Sequence, residues 1–291
     1  MRHYPVMLAE CLEYLNVRPE GIYCDATAGL GGHSGAIARK LSTGLVIACD
    51  RDAESLEIAR ANTVDCSDRI RFHQALFSQL GEALAAEGVS QLDGLLADLG
   101  VSRYQLTEAE RGFSLMTDGP LDMRMSRGPS RPASRTAADI VNFESEHELA
   151  RLIYTLGEER RSRKIARAIV RARPITTTGQ LANLIERVAP RTGKLHPATQ
   201  TFMALRLAVN NEMEELDALL GSIPILVRPG GRAAVVTFMS LEDRKVKQSF
   251  QAMTKAGRAK LLTRHVVRPA AEETRDNPPS RSAKLRAIEV Q

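Results

Sequence analysis

Short apolar runs alternate with amphipathic stretches through the first hundred of the 291 residues. Gly21-Ile22-Tyr23-Cys24, Leu45 to Cys49, Arg69 to His73 and Leu92 to Asp98 read as strands. The intervening periodicity of three and four predicts helices over Leu8 to Leu15, Gly35 to Leu41, Asp52 to Asn62 and Gln79 to Glu87. Leu56 and Ala59 face inward, and Phe77 falls in a loop. Strands alternating with helices predict an α/β fold with a parallel, doubly wound sheet. Ligands of such a sheet lie at the carboxyl ends of its strands, where Asp25, Asp50, Phe77 and Asp98 would converge.

The alternation stops after Asp98. From Thr107 to Asn211 the pattern is helical or irregular, with helices expected over Ala137 to Leu156, Arg161 to Arg171 and Thr178 to Val188. A further helix starts at Pro197, with Phe202, Leu205, Val209, Met213, Leu216 and Leu220 stepping along one face. The stretch Arg111 to Ser134 reads as a long loop. Strand character returns at Arg232 to Phe238, after a turn at Pro229-Gly230-Gly231. Ser240-Leu241-Glu242-Asp243 has the form of a capping box for a helix to Met253. Leu261 to Val267 and Lys284 to Val290 read as a closing antiparallel pair. The predicted organisation is a sheet domain over 1–106 and 212–291, with an all-helical domain over 107–211 inserted into it.

The chemistry concentrates in Asp25-Ala26-Thr27-Ala28-Gly29-Leu30-Gly31-Gly32-His33-Ser34, between a strand and a helix. Glycines let the backbone approach a ligand closely, and a helix start offers free N–H groups. Asp50 closes the next strand, where an acid holds ribose hydroxyls in nucleotide-type sites. A dinucleotide fingerprint has glycine where Ser34 stands and usually no acid at the strand end, so a nicotinamide cofactor is the poorer fit. The Asp-x-x-x-Gly-x-Gly form resembles the first motif of class I S-adenosylmethionine-dependent methyltransferases.

Composition narrows the partners. Hydrophobic residues make up 43% and charged residues 26%, as in ordinary globular chains. The net charge of +5 permits a polyanionic partner, but with 4% aromatics and no Trp, stacking bases on a row of rings is an improbable way to bind one. Cys11, Cys24, Cys49 and Cys66 make no CxxC pair and have no histidine at zinc spacing, so no metal site is expected. No apolar run approaches a membrane span and no signal peptide opens the chain, which places it in the cytoplasm and away from membranes.

Some segments admit two readings. Arg160, Arg163, Lys164, Arg167 and Arg171 form a basic stripe opposite Ile165 and Ile169, suited to phosphate or to plain solvation. Arg111 and Arg124 could bind phosphate. His196 could simply open a helix, and Asn277 to Lys284 could be a solvated loop or an RNA contact.

Taken together the segments resemble the bacterial 16S ribosomal RNA cytosine-N4-methyltransferases, from His3 to about Arg286. The matching strings are His3-x-Pro5-Val6, Asp25 to Ser34, Cys49-Asp50-Arg51-Asp52, Asp98-Leu-Gly-Val-Ser102 with Gln105-Leu106, and Arg111-Gly-Phe-Ser114. Gly119-Pro-Leu-Asp-Met-Arg-Met125, Gly157-Glu158-Glu159, His196-Pro-Ala-Thr199, Thr201-Phe202, Ala204-Leu-Arg206, Ser240-Leu-Glu-Asp-Arg244 and Arg281-Ser-Ala-Lys-Leu-Arg286 complete the set. Met239, Tyr104, Pro279, Gln200 and Met203 depart from the family pattern.

The resemblance implies a class I fold with an inserted helical domain for substrate recognition. It implies S-adenosylmethionine as cofactor and methyl transfer to cytidine N4 in the decoding centre of 16S rRNA, within the small ribosomal subunit. Cofactor contacts are expected at Gly31, Gly32, His33, Asp50, Phe77, Asp98 and Gln105, with Asp98 as the candidate catalytic group. Arg111, Arg124, His196, Arg206, Ser240 and Lys284 are candidate substrate contacts, and a homodimer is left open. Competing readings are a methyltransferase of proteins or small molecules with the insertion as a lid, a non-catalytic ribosome-assembly factor, and a nicotinamide oxidoreductase.

Overall fold

The computed structural model describes residues 5–127, 135–191 and 195–291. His3 of the first matching string, and residues 128–134 of the expected loop, lie outside the described residues. Two compact units are present: Met1–Gly100 with Glu214–Gln291, and Val101–Met213.

The first unit opens with α1 (Leu8–Leu15), β1 (Ile22–Asp25), α2 (Gly32–Ala38), β2 (Leu45–Asp50), α3 (Ala53–Asn62), β3 (Ile70–Gln74), α4 (Leu80–Ala86) and β4 (Leu92–Asp98). α2 starts three residues earlier than predicted, because Gly31 takes a left-handed φ of 84° and serves as its N-cap. Asp52 caps α3 by accepting from Glu54 N–H and the Ser55 hydroxyl. Phe77 lies in a short 3₁₀ turn, Phe77–Gln79, rather than in an irregular loop.

The same unit resumes late in the chain with β5 (Val227–Thr237), α12 (Ser240–Lys255), β6 (Ala259–Leu261), α13 (Ala271–Asp276) and β7 (Lys284–Val290). The seven strands form one sheet in the order β3-β2-β1-β4-β5-β7-β6. β1 to β5 are parallel; β7 runs antiparallel to β5 and β6. This is the class I methyltransferase arrangement. β2 and β4 are buried along nearly their whole length, as strands covered on both faces must be.

Three expectations change here. β5 starts before Arg232: Pro229-Gly230-Gly231 is no turn but an irregularity within the strand, where the register against β4 jumps from Leu92↔Val227 to Gly94↔Arg232. The cap of α12 is Met239, not Ser240, and Glu242 closes it by accepting from Phe238 and Met239 N–H. β6 ends at Leu261, with only an isolated bridge at Val267, and the expected loop before Lys284 contains the 3₁₀ turn Pro278–Ser282, with α13 just before it.

The second unit contains α5 (Arg103–Thr107), α6 (Ala137–Phe143), α7 (Glu146–Gly157), α8 (Ser162–Ala172), α9 (Thr178–Val188) and α10 (Thr199–Asn210). α11 (Glu212–Leu226) begins in it and continues into the first unit. The single helix predicted over Ala137 to Leu156 is two, because Ser145 breaks the run and caps α7 through Glu148 N–H. The long helix from Pro197 likewise divides at Asn211, whose φ of 50° no α-helix accommodates. Leu149, Ile153, Ile165, Ile169, Leu181, Ile185 and Leu205 build this unit's core.

The loop read over Arg111 to Ser134 is tied down over its described part. Phe113, Leu121, Met123 and Met125 join the core of the second unit. Asn210 spans Met123 and Met125, donating to one carbonyl and accepting the other N–H at 2.8 Å each. A Cβ on Gly112 would stand 2.2 Å from the Pro120 carbonyl oxygen, so glycine is required there.

Candidate active site

In the first unit, β1 and β4 are neighbours and the strand order reverses between them, the crevice where open α/β sheets take ligands. Asp25 ends β1, Asp50 ends β2 and Asp98 ends β4. Ala75 N–H donates to the Asp50 carbonyl at 2.9 Å, which brings the end of β3, and the Phe77 turn beyond it, to the same edge.

Asp25 is fully buried and acts inside the turn. Its Oδ2 accepts from the Ser34 hydroxyl at 2.6 Å and its Oδ1 from Thr27 N–H at 3.1 Å. The Thr27 hydroxyl oxygen then accepts Asp98 N–H at 2.6 Å. One hydrogen-bonded chain thus joins the ends of β1 and β4 and fixes where Asp98 stands.

Asp50 holds the turn from the other side. Its Oδ2 accepts Gly29 N–H at 2.8 Å and its Oδ1 accepts Asp52 N–H at 2.9 Å. Burial pushes its pKa up to about 6, although the two N–H donors pull the other way. A carboxylate oxygen has room for more than one donor, so Asp50 retains acceptor capacity.

Asp98 is the least satisfied group of the set. Its Oδ1 is buried without a hydrogen-bond partner among the described residues. Its Oδ2 lies 3.8 Å from His33 Nδ1. Burial raises its pKa well above the ordinary carboxylate range, and the charges of Asp25, Glu242 and Glu273 add to the rise. Such a carboxyl calls for a hydrogen-bond donor or a cation.

His33 is buried on α2 and donates from Nε2 to the Val6 carbonyl at 3.0 Å, which turns Nδ1 toward Asp98. Residue 7 is strapped down in turn: Met7 N–H donates to Glu273 Oε1 at 2.8 Å, and a Cβ on Gly32 would meet the Pro5 ring at 3.1 Å. Pro5-Val6-Met7 is therefore pinned over the glycine-rich turn by α13 on one side and α2 on the other. Thr27, Ser34, Glu242 and Glu273 complete the site without having been assigned to it from sequence. Ser34 lay within the glycine-rich string, but nothing local marks Glu273, which is 266 positions from Met7.

Ser240 and Lys284 also belong to the first unit. Ser240 is exposed at the start of α12. Lys284 pairs with Thr237 in the sheet, and its Nζ lies 3.6 Å from Asp243, which Arg286 also grips at 2.7 Å.

A profile of the MraW methylase family matches residues 1–291. The chain belongs to the MraW methylase family. Members similar to it include "Ribosomal RNA small subunit methyltransferase H" of Solibacter usitatus, 59% identical over 288 residues and 99% of each chain. The protein of the same name from Acidobacterium capsulatum is 50% identical over 99% of this chain and 98% of its own. That from Koribacter versatilis is 47% identical over 98% of this chain and 93% of its own.

In this MraW family member the other expected site residues fall in the second unit. Gln105 is buried and completes a capping box, its Oε1 accepting Ser102 N–H at 3.0 Å while Gln105 N–H returns to Ser102 Oγ. Arg111 is a correction: it is 2% exposed and gives its guanidinium to the Met125 and Arg124 carbonyls, so it clamps the loop instead of offering charge to phosphate. Arg124 makes a two-pronged pair with Asp122 at 2.7 and 2.9 Å, and Arg206 one with Glu212 at 2.8 and 3.0 Å. His196 accepts Ala198 N–H through Nδ1 just before α10, the helix-opening role that sequence left open. No helix among the described residues is long and apolar enough to cross a membrane.

Proposed function

We propose that this protein methylates the N4 amine of a cytidine in the decoding centre of 16S rRNA, using S-adenosylmethionine and acting on the small ribosomal subunit in the cytoplasm. The observation that carries the reading is the buried Oδ1 of Asp98 at the β1–β4 crevice, unpartnered among the described residues, in a chain of the MraW methylase family.

The residues present fit the cofactor. Gly29 and Gly31, both at positive φ, let the backbone approach a ligand, and the nearest atom to a Cβ on Gly29 would be 3.8 Å away. Asp50 has acceptor capacity for ribose hydroxyls. The charges of Asp25, Glu242 and Glu273 act on Asp98 together, and a crevice under that negative field favours a cationic ligand. Gly31, Gly32, His33, Asp50, Phe77, Asp98 and Gln105 are the proposed cofactor contacts. When bound, S-adenosylmethionine supplies an electrophilic methyl group on positively charged sulfur.

The chain's own groups then do three things. The Asp25–Ser34–Thr27 network and His33 hold Asp98 in place, and orientation of reacting groups can lower a barrier by up to roughly 7–11 kcal/mol. Asp98 accepts a hydrogen bond from the acceptor N–H, which turns the nitrogen lone pair toward the methyl group. Transfer would exchange the cofactor's S–C bond for the new N–C bond, with the neutral thioether as leaving group, and Asp98 would take the one N–H proton that the acceptor nitrogen must shed, being a stronger base than an ordinary carboxylate because it is buried among like charges. The target base leaves its stack to reach such a crevice. Residues 107–211 serve substrate recognition in this reading.

The test is methyl transfer from labelled S-adenosylmethionine to small subunits from cells lacking this protein, followed by identification of the labelled nucleoside. N4-methylcytidine is the expected product. Label in another nucleoside would refute the acceptor atom, and label absent from RNA would refute the substrate.

A further inference from the structure

The chain's excess positive charge belongs to one unit. Residues 101–213 contain 18 Lys+Arg against 12 Asp+Glu, a net +6, whereas the remaining residues contain 22 against 23, a net −1. Within the basic unit, the stretch from Arg160 to Arg173 contains seven cations and no carboxylate.

The structure sorts those seven. Arg161 is spent on Glu159 and the Pro190 carbonyl, and Arg173 on the carbonyls of Val141 and Glu144. Arg167 makes one exposed contact with Glu146 at 3.3 Å. Arg160, Arg163, Lys164 and Arg171 are exposed and have no hydrogen-bond or ion-pair partner among the described residues. On the opposite face of α8, Ile165, Ala166 and Ile169 are completely buried.

Arg163, Arg167 and Arg171 recur every four residues, so they line one side of the helix about 6 Å apart. Like charges at that spacing repel and weaken an isolated helix by roughly 0.2–0.5 kcal/mol per pair. A merely solvated face would relieve the repulsion with interspersed acids, as α7 does by pairing Arg151 with Glu148. Apart from the one exposed contact of Arg167 with Glu146, the stripe keeps its charges uncompensated, the arrangement expected of a surface whose counter-charges arrive with a partner.

We infer that the α8 face formed by Arg163, Lys164, Arg167 and Arg171, with Arg160 just ahead of the helix, binds the phosphate backbone of the RNA substrate. This rests on the proposed rRNA substrate and adds the surface that grips it. The recognition is of backbone charge and spacing, not of bases, because the stripe consists of cations alone and the chain has few rings to stack.

The experiment uses the full-length protein with Arg163, Lys164, Arg167 and Arg171 all changed to Gln. A control carries Lys40, Lys247, Lys255 and Lys260→Gln, four exposed cations of the first unit, so both variants lose the same charge. Binding to purified small subunits and to protein-free 16S rRNA is measured across a salt series, with S-adenosylhomocysteine binding as a check on the fold. Losing four phosphate contacts lowers the slope of log affinity against log salt by about 3, on the order of 100-fold in affinity near physiological salt. The expected result is that loss in the stripe variant alone, on both RNA samples, with cofactor binding intact. Equal binding by the two variants would overturn the inference while leaving the proposed substrate standing. Loss on subunits but not on protein-free RNA would overturn it in favour of an acidic protein partner. Absence of salt-sensitive binding by the unaltered protein would overturn the proposed substrate as well.

Discussion

Asp50 sets up a pH dependence with opposite signs in folding and in cofactor binding. Its carboxyl is pushed from 3.8 to about 6, first by burial and then by the charges of Asp52 and Asp25, against the pull of two N–H donors. For the free protein, the native state holds the proton more tightly than the unfolded chain. Asp50's contribution to stability is therefore fully present below 3.8 and is lost as pH rises through about 6. Cofactor binding responds the other way. Ribose hydroxyls donate to the ionised carboxylate, so affinity is full above about 6 and falls below it. At about pH 5 roughly a tenth of Asp50 is ionised, and affinity should be about tenfold weaker than at about pH 8, or ~1.4 kcal/mol. Titration calorimetry with S-adenosylhomocysteine across this range measures it without turnover. Asp50→Asn should bind weakly and flatten the profile between these limits. His33 lies in the same crevice, so His33→Gln is the control and should keep the fall. A flat profile in the unaltered protein, or an unchanged slope in Asp50→Asn, would refute the reasoning.

Ser34→Ala removes the 2.6 Å donor to a buried carboxylate and should cost about 1.5–3 kcal/mol in urea unfolding; a loss under about 0.5 kcal/mol would mean that Asp25 is satisfied without it. Gly31→Ala meets both a φ of 84° and contacts of 3.1 Å to Ala59 and Thr63, so it should lower stability by at least about 1–2 kcal/mol, read as a drop in melting temperature. Glu273→Ala frees Met7 N–H and with it the strap that orients His33; cofactor affinity should fall about 5- to 10-fold, while Glu273→Gln, which can still accept that hydrogen bond, should stay within about twofold. Equal effects of the two would assign the role to charge. Arg111→Met should destabilise the fold by about 1.5–3 kcal/mol yet leave the salt dependence of RNA binding unchanged; a lowered salt slope would restore Arg111 as a phosphate contact.

The turn and its acids were legible because their spacing is local. Asp25, the glycines and His33 lie within ten residues, and a strand followed by a helix leaves few other places for them. Asp50 and Asp98 were legible because each ends an apolar run. Two helix breaks were not, since Asn211 and Ser145 sit inside unbroken periodic patterns and only backbone angles and caps reveal them. The basic residues misled in proportion to their burial. Arg111 and Arg163 look alike in sequence, but one clamps two carbonyls in the interior and the other stands in solvent.

Taken alone, the chain's hydrophobic period determined the strand and helix order, and its rare strings pointed to the family. Local chemistry suffices for both, because period and motif are properties of neighbouring residues. Tertiary structure decided what no neighbour encodes: that Thr27 carries Asp25's grip to Asp98, that Glu273 reaches back to Met7, and that Asp98 keeps one oxygen buried and unpaired among the described residues. Partners 71 and 266 positions apart meet only when the sheet is assembled, and burial, which raises the pKa of Asp50 and Asp98, exists only then.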